Sequence, residues 1–456
     1  MKRIVTMLAV LVFTLPAMGA KEWFVDLGYD AAFARAAKEN KLVFIDFYTT
    51  WCQPCKMMDE STFKDDAVVK WLSDNAVAIK IDAEAKEEIA LKHKVDGYPT
   101  LIFLKADGTE FERVSGYIPP EDLLRIFRLV ETGKTTLIVA KQNLDKSPND
   151  PVAHLDYAAE LTRRSRWEDA WAEYNWCLDN GVKNDPEFEK YGADALLSGM
   201  IELGGPLERA RLELMKLRNE SEQKFRDGKG SMIDGHLIRD VNNAAGEDLR
   251  TLEFYDSIVE DGDKDEIETL SRAMMPLLVR AQRFDEVEER VKVVDDARRV
   301  LANAVPTADY LGKYREPEER EMFREIFNEN AALRVSDHYQ VLLATGKKDE
   351  AAELAAAAMK ASESPAVYGA LSWAGYLSGK PVEQNIAWAR KALDMMGGES
   401  AEVVDTLARL LDKLGRKEEA IKVCRAALEK SDDLRSKLIL QGCLDEINGE
   451  GGGTGS

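Results

Sequence analysis

The stretch "KLVFIDFYTTWCQPCKMM", residues 41 to 58, joins a nearly unbroken apolar run to two cysteines two residues apart. Lys41 to Tyr48 has the composition of a short strand covered on both faces, since a strand with one wet face alternates polar and apolar residues. From Cys52 to about Leu72 the pattern is helical, with a break expected between Ser61 and Asp66. Cys52 therefore falls where a strand ends and a helix begins. Unpaired backbone N–H groups and the helix dipole favour negative charge there, which draws a thiol toward its thiolate. Cys52 is the predicted nucleophile, and Cys55, nearly one helical turn on, the predicted and more buried resolving thiol. Pro54 suits a first helical turn, where its missing N–H costs no bond. Trp51 is expected to cover the sulfurs on one side.

Two other uses of such a pair explain less. Structural zinc takes four ligands, and the chain has no second CxxC. Its four histidines, His93, His154, His236 and His338, are scattered singly, so no metal is expected. A bridge across two residues closes a tiny loop and restricts little of the unfolded chain. Five cysteines are also too few for a disulfide-built scaffold. Cys177 and Cys424 fall at inward-facing helical positions and Cys443 lies in the last helix; each reads as a buried small hydrophobe. Cys424 and Cys443 have a second reading, as a bridge between adjacent helices.

Working outward, "AVAIKID" (76 to 82) is a second strand and "AKEEIALKHK" (85 to 94) a short helix. "TLIFLKADGTEFERVSG" (100 to 116) is a hairpin turning at Asp107-Gly108, and "PPEDLLRIFRLVE" (119 to 131) a helix. The sum is an α/β sandwich with parallel strands and an antiparallel edge. WCQPC behind "LVFIDFY", with "GYPT" (97 to 100) 42 residues past the second cysteine, resembles the thioredoxin superfamily. Residues 22 to 131 are most similar to secreted bacterial thioredoxin-like domains, among them the C-terminal domain of the transmembrane thiol-disulfide interchange protein. The resemblance implies a thioredoxin-like fold with a redox-active Cys52–Cys55 disulfide and no cofactor. It makes Pro99 the cis-proline facing the cysteines, flanked by Tyr98 and Thr100, which with Trp51 would contact substrate. It makes Asp46 the buried acid that passes a proton to the resolving thiol. Ala78 stands where the family's lysine partner of that acid is expected, and Lys80 lies two residues on, so this part departs from the pattern. Neutral Gln53-Pro54 between the cysteines resembles reducing members. The expected partners are protein substrates with thiols or disulfides and a membrane thiol-disulfide electron donor.

The first 20 residues read as a cleaved export signal: Lys2 and Arg3, an apolar run from Ile4 to Leu15, then small residues to Ala20. That run is too short to span a bilayer, which takes about 20 residues. A soluble exported protein, periplasmic or secreted and without a membrane anchor, is the expectation. Asp and Glu outnumber Lys and Arg by 83 to 62, a net charge of −21 that repels phosphate backbones and argues against nucleic acid. A thioredoxin-like domain over 21–134 is followed by an expected linker at 135–150. From 151 to 448 almost everything reads as helix. "GKKDEAAELAAAAM" (346 to 359) and "GRKEEAIKVCRAAL" (415 to 428) match at a glycine, a charged turn and small residues, with "GKPVEQNIAWARKAL" (379 to 393) between them carrying one extra residue. A period near 34 built from two helices is the signature of tetratricopeptide repeats; it is poor between 184 and 327. Trp167, Trp171, Tyr174 and Trp176 sit at helical spacing and read as repeat core. Residues 449–456 read as a flexible tail. Stacked helix pairs make a groove for a partner segment. Two functions stay open: an exported oxidoreductase whose repeats bind or orient clients, and a non-catalytic interaction scaffold with a structural thioredoxin-like domain.

Overall fold

In the computed structural model, which describes residues 24–398, 400–431 and 434–449, the chain divides after Thr135 into two units. The export signal expected over 1–20 and the tail beyond Gly449 lie outside the described residues.

The first unit runs α1 (Tyr29–Glu39), β1 (Leu42–Tyr48), α2 (Gln53–Glu60), a 3-10 turn at Thr62–Lys64, α3 (Asp66–Asn75), β2 (Ala76–Asp82), α4 (Glu87–Lys92), β3 (Thr100–Leu104), β4 (Glu110–Ser115) and α5 (Pro120–Glu131). The expected break after α2 is that 3-10 turn. The sheet order is β2–β1–β3–β4; β1 and β2 are parallel, while β3 is antiparallel to both β1 and β4. Gly108, at φ 85°, supplies the left-handed residue the β3–β4 turn requires. Strand alternation divides β1 between two cores. Val43, Ile45 and Phe47 pack with Ala32, Ala36 and Ala90. Phe44 packs on the other face with Met58, Leu72, Phe103 and Phe127. Both faces being covered explains why the strand carries almost no polar residue. Asp46 is the exception, and it points to the face that α2 covers.

The second unit is helical throughout its described residues. Its first part comprises α6 (Thr136–Lys146), α7 (Pro151–Arg163), α8 (Trp167–Asn184), α9 (Phe188–Tyr191), α10 (Ala193–Leu203), α11 (Glu208–Arg226), α12 (Met232–Ala244), α13 (Asp248–Asp261), α14 (Lys264–Arg280), α15 (Phe284–Arg290) and α16 (Val293–Leu311). The linker expected at 135–150 is thus mostly α6, whose Ala140 and Leu144 are buried. Trp171 and Tyr174 are buried in the core of this part, with Trp167 and Trp176 packed against it. There follow α17 (Pro317–Ala344), α18 (Lys348–Ala361), α19 (Pro365–Leu377), α20 (Glu383–Met395), α21 (Ala401–Lys413), α22 (Lys417–Lys430) and α23 (Leu434–Asn448). Here α17, α19, α21 and α23 pack in succession, each of the first three also pairing with the helix that follows it. That is the stacking of a helical-repeat array. Gly346, Gly379 and Gly415 sit at the turn inside each pair, at φ 89°, 71° and 82°. This left-handed requirement explains why the quoted repeat segments all begin with glycine.

Candidate redox site

Cys52 caps the N-terminus of α2. Its sulfur accepts from the Cys55 backbone N–H at 3.1 Å, and Pro54 occupies the first turn. The two sulfurs are joined in a disulfide. Both residues are equally buried, at 3 % exposure, rather than Cys55 being the more covered. An N–H aimed at Cys52 and the positive end of α2 both stabilise a thiolate there once the bond is opened.

Trp51 stands half exposed beside the pair; its indole N–H donates to Glu84 at 2.9 Å, and its ring meets Tyr98 edge-on at 6.0 Å. That contact sets the Tyr98–Pro99 loop next to the start of α2. The Tyr98–Pro99 peptide is cis. Pro99 accepts from Gly116 N–H through its carbonyl at 2.8 Å. Thr100 is fully buried, and its hydroxyl donates to the Gly97 carbonyl at 2.8 Å. Its side chain therefore holds the loop in shape, leaving Tyr98 and Trp51 as the accessible flanks.

Asp46 is 1 % exposed and lies opposite Lys80 in the β1–β2 register. Paired residues on neighbouring strands project to the same face, so Lys80 reaches Oδ2 of Asp46 at 3.2 Å. Oδ1 of Asp46 has no hydrogen-bond partner among the described residues. Burial pushes the carboxyl up to about 6, against the downward pull of Lys80, while neighbouring Asp59 adds a smaller upward push. Lys80 also pairs with Asp59, four residues after Cys55 on α2 and so on the same helix face. The rings of Tyr48 and Phe24 hold the ammonium at 4.9 and 5.3 Å. Although burial opposes its charge, the two carboxylates keep the Lys80 pKa above the ordinary lysine value.

The sequence reading found the two cysteines, the acid and the proline loop, and left the lysine unplaced. Ala78, where that lysine was sought, faces Phe44 instead. The signal lay in equal offsets: Asp46 and Lys80 are each the fifth residue of a seven-residue strand. Asp59 had no sequence signal of its own. The arrangement supports nucleophilic attack by Cys52, resolution by Cys55 and proton exchange at Asp46, with Lys80 linking the buried acid to exposed Asp59. Among the described residues, no three His, Cys, Asp or Glu side chains converge as a metal site.

Comparison with known proteins places these features. Residues 29–131 match the thioredoxin-like domain family. Thioredoxin-1 of Drosophila melanogaster is 45% identical over 69 residues, 15% of this chain and 62% of that protein. An H-type thioredoxin of Oryza sativa subsp. indica is 35% identical over 88 residues, 19% of this chain and 68% of that protein. The thiol:disulfide interchange protein DsbD of Campylobacter jejuni is 34% identical over 90 residues, 19% of this chain and 16% of that protein. Of solved structures, the P58(IPK) TPR domain is 14% identical, covering 72% of this chain and 97% of its own, with a TM-score of 0.23. The chain thus spans less than two thirds of the Drosophila thioredoxin and a small part of DsbD. Through its first unit, with the cysteine pair, the cis-proline loop and the buried acid, the chain belongs to the thioredoxin family.

Proposed function

We propose that this chain is an exported thiol–disulfide oxidoreductase working in the reducing direction on protein disulfides. One observation carries the reading: a cysteine pair caps α2, and the same helix carries the carboxylate that engages the lysine partner of buried Asp46. A scaffold needs none of these. In the reduced form the Cys52 thiolate attacks one sulfur of a client disulfide, and the client's other sulfur leaves as a thiolate. Cys55, giving its proton to the Asp46 carboxylate, then attacks the Cys52 sulfur. This forms the Cys52–Cys55 disulfide and releases the second client thiolate, so two electrons pass from the pair to the client. A dithiol donor restores the pair, and the likeness to DsbD supports a membrane thiol–disulfide protein in that role. Gln53 and Pro54 between the cysteines offer no cation to hold the thiolate strongly, which supports a reducing couple. The leader-like first 20 residues support export. The stacked pairs from α17 onward support docking of an extended partner segment.

Cys55→Ala should accumulate mixed disulfides on Cys52, seen as thiol-reversible adducts, and the native chain should reduce insulin. No trapped species together with no insulin reduction would leave the scaffold reading standing. Equilibration with glutathione should give a potential nearer about −270 mV than about −120 mV, and a value at the oxidising end would reverse the direction.

A further inference from the structure

The helical unit holds two more sulfurs in contact. Cys424 on α22 and Cys443 on α23 are 0 % and 1 % exposed, with Sγ atoms 3.5 Å apart. Leu407, Leu411 and Leu440 belong to the same apolar cluster. The Cys443 thiol also approaches the Asp405 carbonyl, at 4.0 Å. The repeat pattern shows that cysteine is a choice here. Counted from the turn glycine, and allowing the extra residue of the middle segment, the equivalents of Cys424 are Ala355 and Ala389, both fully buried. A small apolar residue is all that packing asks. Of the three matched segments only that of α22 carries cysteine here, and it faces another cysteine on α23. That helix packs on both α21 and α22. Cys177, by contrast, sits in a different cluster, where its thiol donates to the Pro151 carbonyl at 3.5 Å.

We infer that Cys424 and Cys443 are a second dithiol/disulfide pair, separate from the Cys52 site, whose oxidation fastens α23 to α22. Closing the bond brings the sulfurs ~1.5 Å closer. With a small disulfide such as oxidised glutathione as oxidant, one cysteine thiolate attacks a glutathione sulfur and expels one glutathione thiolate. The second cysteine thiolate then attacks the protein sulfur of that adduct and expels the other. Two protein thiols are oxidised, one glutathione disulfide is reduced to two glutathione molecules, and the two cysteine protons pass to them. Access to these buried sulfurs comes when α23 lifts from α21 and α22, a local opening of one helix that leaves the rest of the unit folded.

The test uses the full chain carrying Cys52→Ala and Cys55→Ala, so that its outcome is independent of the proposed reductase activity. After incubation with oxidised glutathione, the protein is unfolded, alkylated and digested with trypsin. Cleavage after Lys422, Arg425 and Lys437 places the cysteines on separate peptides, 423–425 and 438–456. The expected result is one cross-linked species joining them, a mass lower by two hydrogen atoms, and alkylation at Cys177 alone. Three alkylated cysteines, or a glutathione adduct that persists on either residue, would overturn the inference. Hydrogen exchange on the same sample provides the second readout. Amides of α23 should be slower to exchange in the oxidised form than after dithiothreitol, and equal rates would remove the fastening role. Cys443→Ala, which leaves an apolar side chain in the cluster, should abolish both the cross-link and the difference in exchange.

Discussion

Asp46 and Asn385 are both buried polar residues inside elements, one in each unit, and they are treated in opposite ways. Asn385 is fully buried at the start of α20 and uses both ends of its amide. Its nitrogen donates to the Tyr339 hydroxyl at 2.8 Å and the Leu371 carbonyl at 3.2 Å, and its oxygen accepts from Val382 N–H at 2.9 Å. Allowing the extra residue of its repeat, it stands where the flanking pairs have Ala351 and Ala420, and Gly375 makes the room: a Cβ there would lie 2.3 Å from the Asn385 amide carbon. Asp46 is as deeply buried, but one of its oxygens has no hydrogen bond among the described residues and burial pushes its carboxyl up to about 6. A buried group with every bond satisfied fixes structure; one left underpaired and titratable holds a proton where chemistry needs it.

Five substitutions would break or sharpen that contrast. Cys52→Ser removes the nucleophile and should lower insulin reduction about a thousandfold or more while leaving the melting of the helical unit unchanged. Substantial residual activity would move the chemistry away from the first unit. Asn385→Ala leaves the Val382 N–H and the Tyr339 hydroxyl without their partner, and should destabilise the helical unit by about 3 kcal/mol in urea unfolding. A cost under about 1 kcal/mol would show the network to be dispensable.

Asp46→Asn should do the reverse. The carboxyl titrates at about 6 when folded against an ordinary 3.8, so between those values the folded chain holds the extra proton and stability falls as pH rises. Above about pH 6 the ionised group costs roughly 3 kcal/mol. The amide should recover most of this at pH 8 and none at pH 4, while slowing exchange about tenfold to a hundredfold. Equal stability effects at both pH values would mean that Asp46 does not titrate in this window. The smallest effects belong to its relays. Lys80→Met removes the downward pull on Asp46 and should move the midpoint of the pH–rate profile up. Asp59→Asn frees Lys80 for Asp46 and should move it down. Shifts of the same sign would contradict the linkage through Lys80.

Much of the first unit was legible because its signals are local. An apolar run marks a strand covered twice, Asp-Gly marks the hairpin, and a cysteine before Gln-Pro marks a helix start. The Asp46–Lys80 pair is harder to read because its equal offsets count only once the register is known between strands that α2 and α3 separate in sequence. In the helical unit the repeat was readable where helices have equal length. It faded earlier because α11 to α17 range from 7 to 28 residues and two of them, α14 and α16, carry internal prolines, Pro276 and Pro306. Proline ordinarily breaks a helix, yet these two helices continue through theirs. The helix α6 was hidden for a related reason: only Ala140 and Leu144 mark its buried face, and a Thr-Gly-Lys-Thr stretch precedes it.

The three turn glycines at φ 71° to 89° recur at matching joints of the array. The joints at Gly346 and Gly415 share one shape, the next helix starting at Lys348 and Lys417, so the chain can be cut at one and rejoined at the other without inventing a new connection. Excising residues 347–415, or duplicating them, would shorten or lengthen the array by two helix pairs, about two periods of 34 residues. The reach of this half of the molecule is therefore adjustable in whole steps by gene-level insertion or loss.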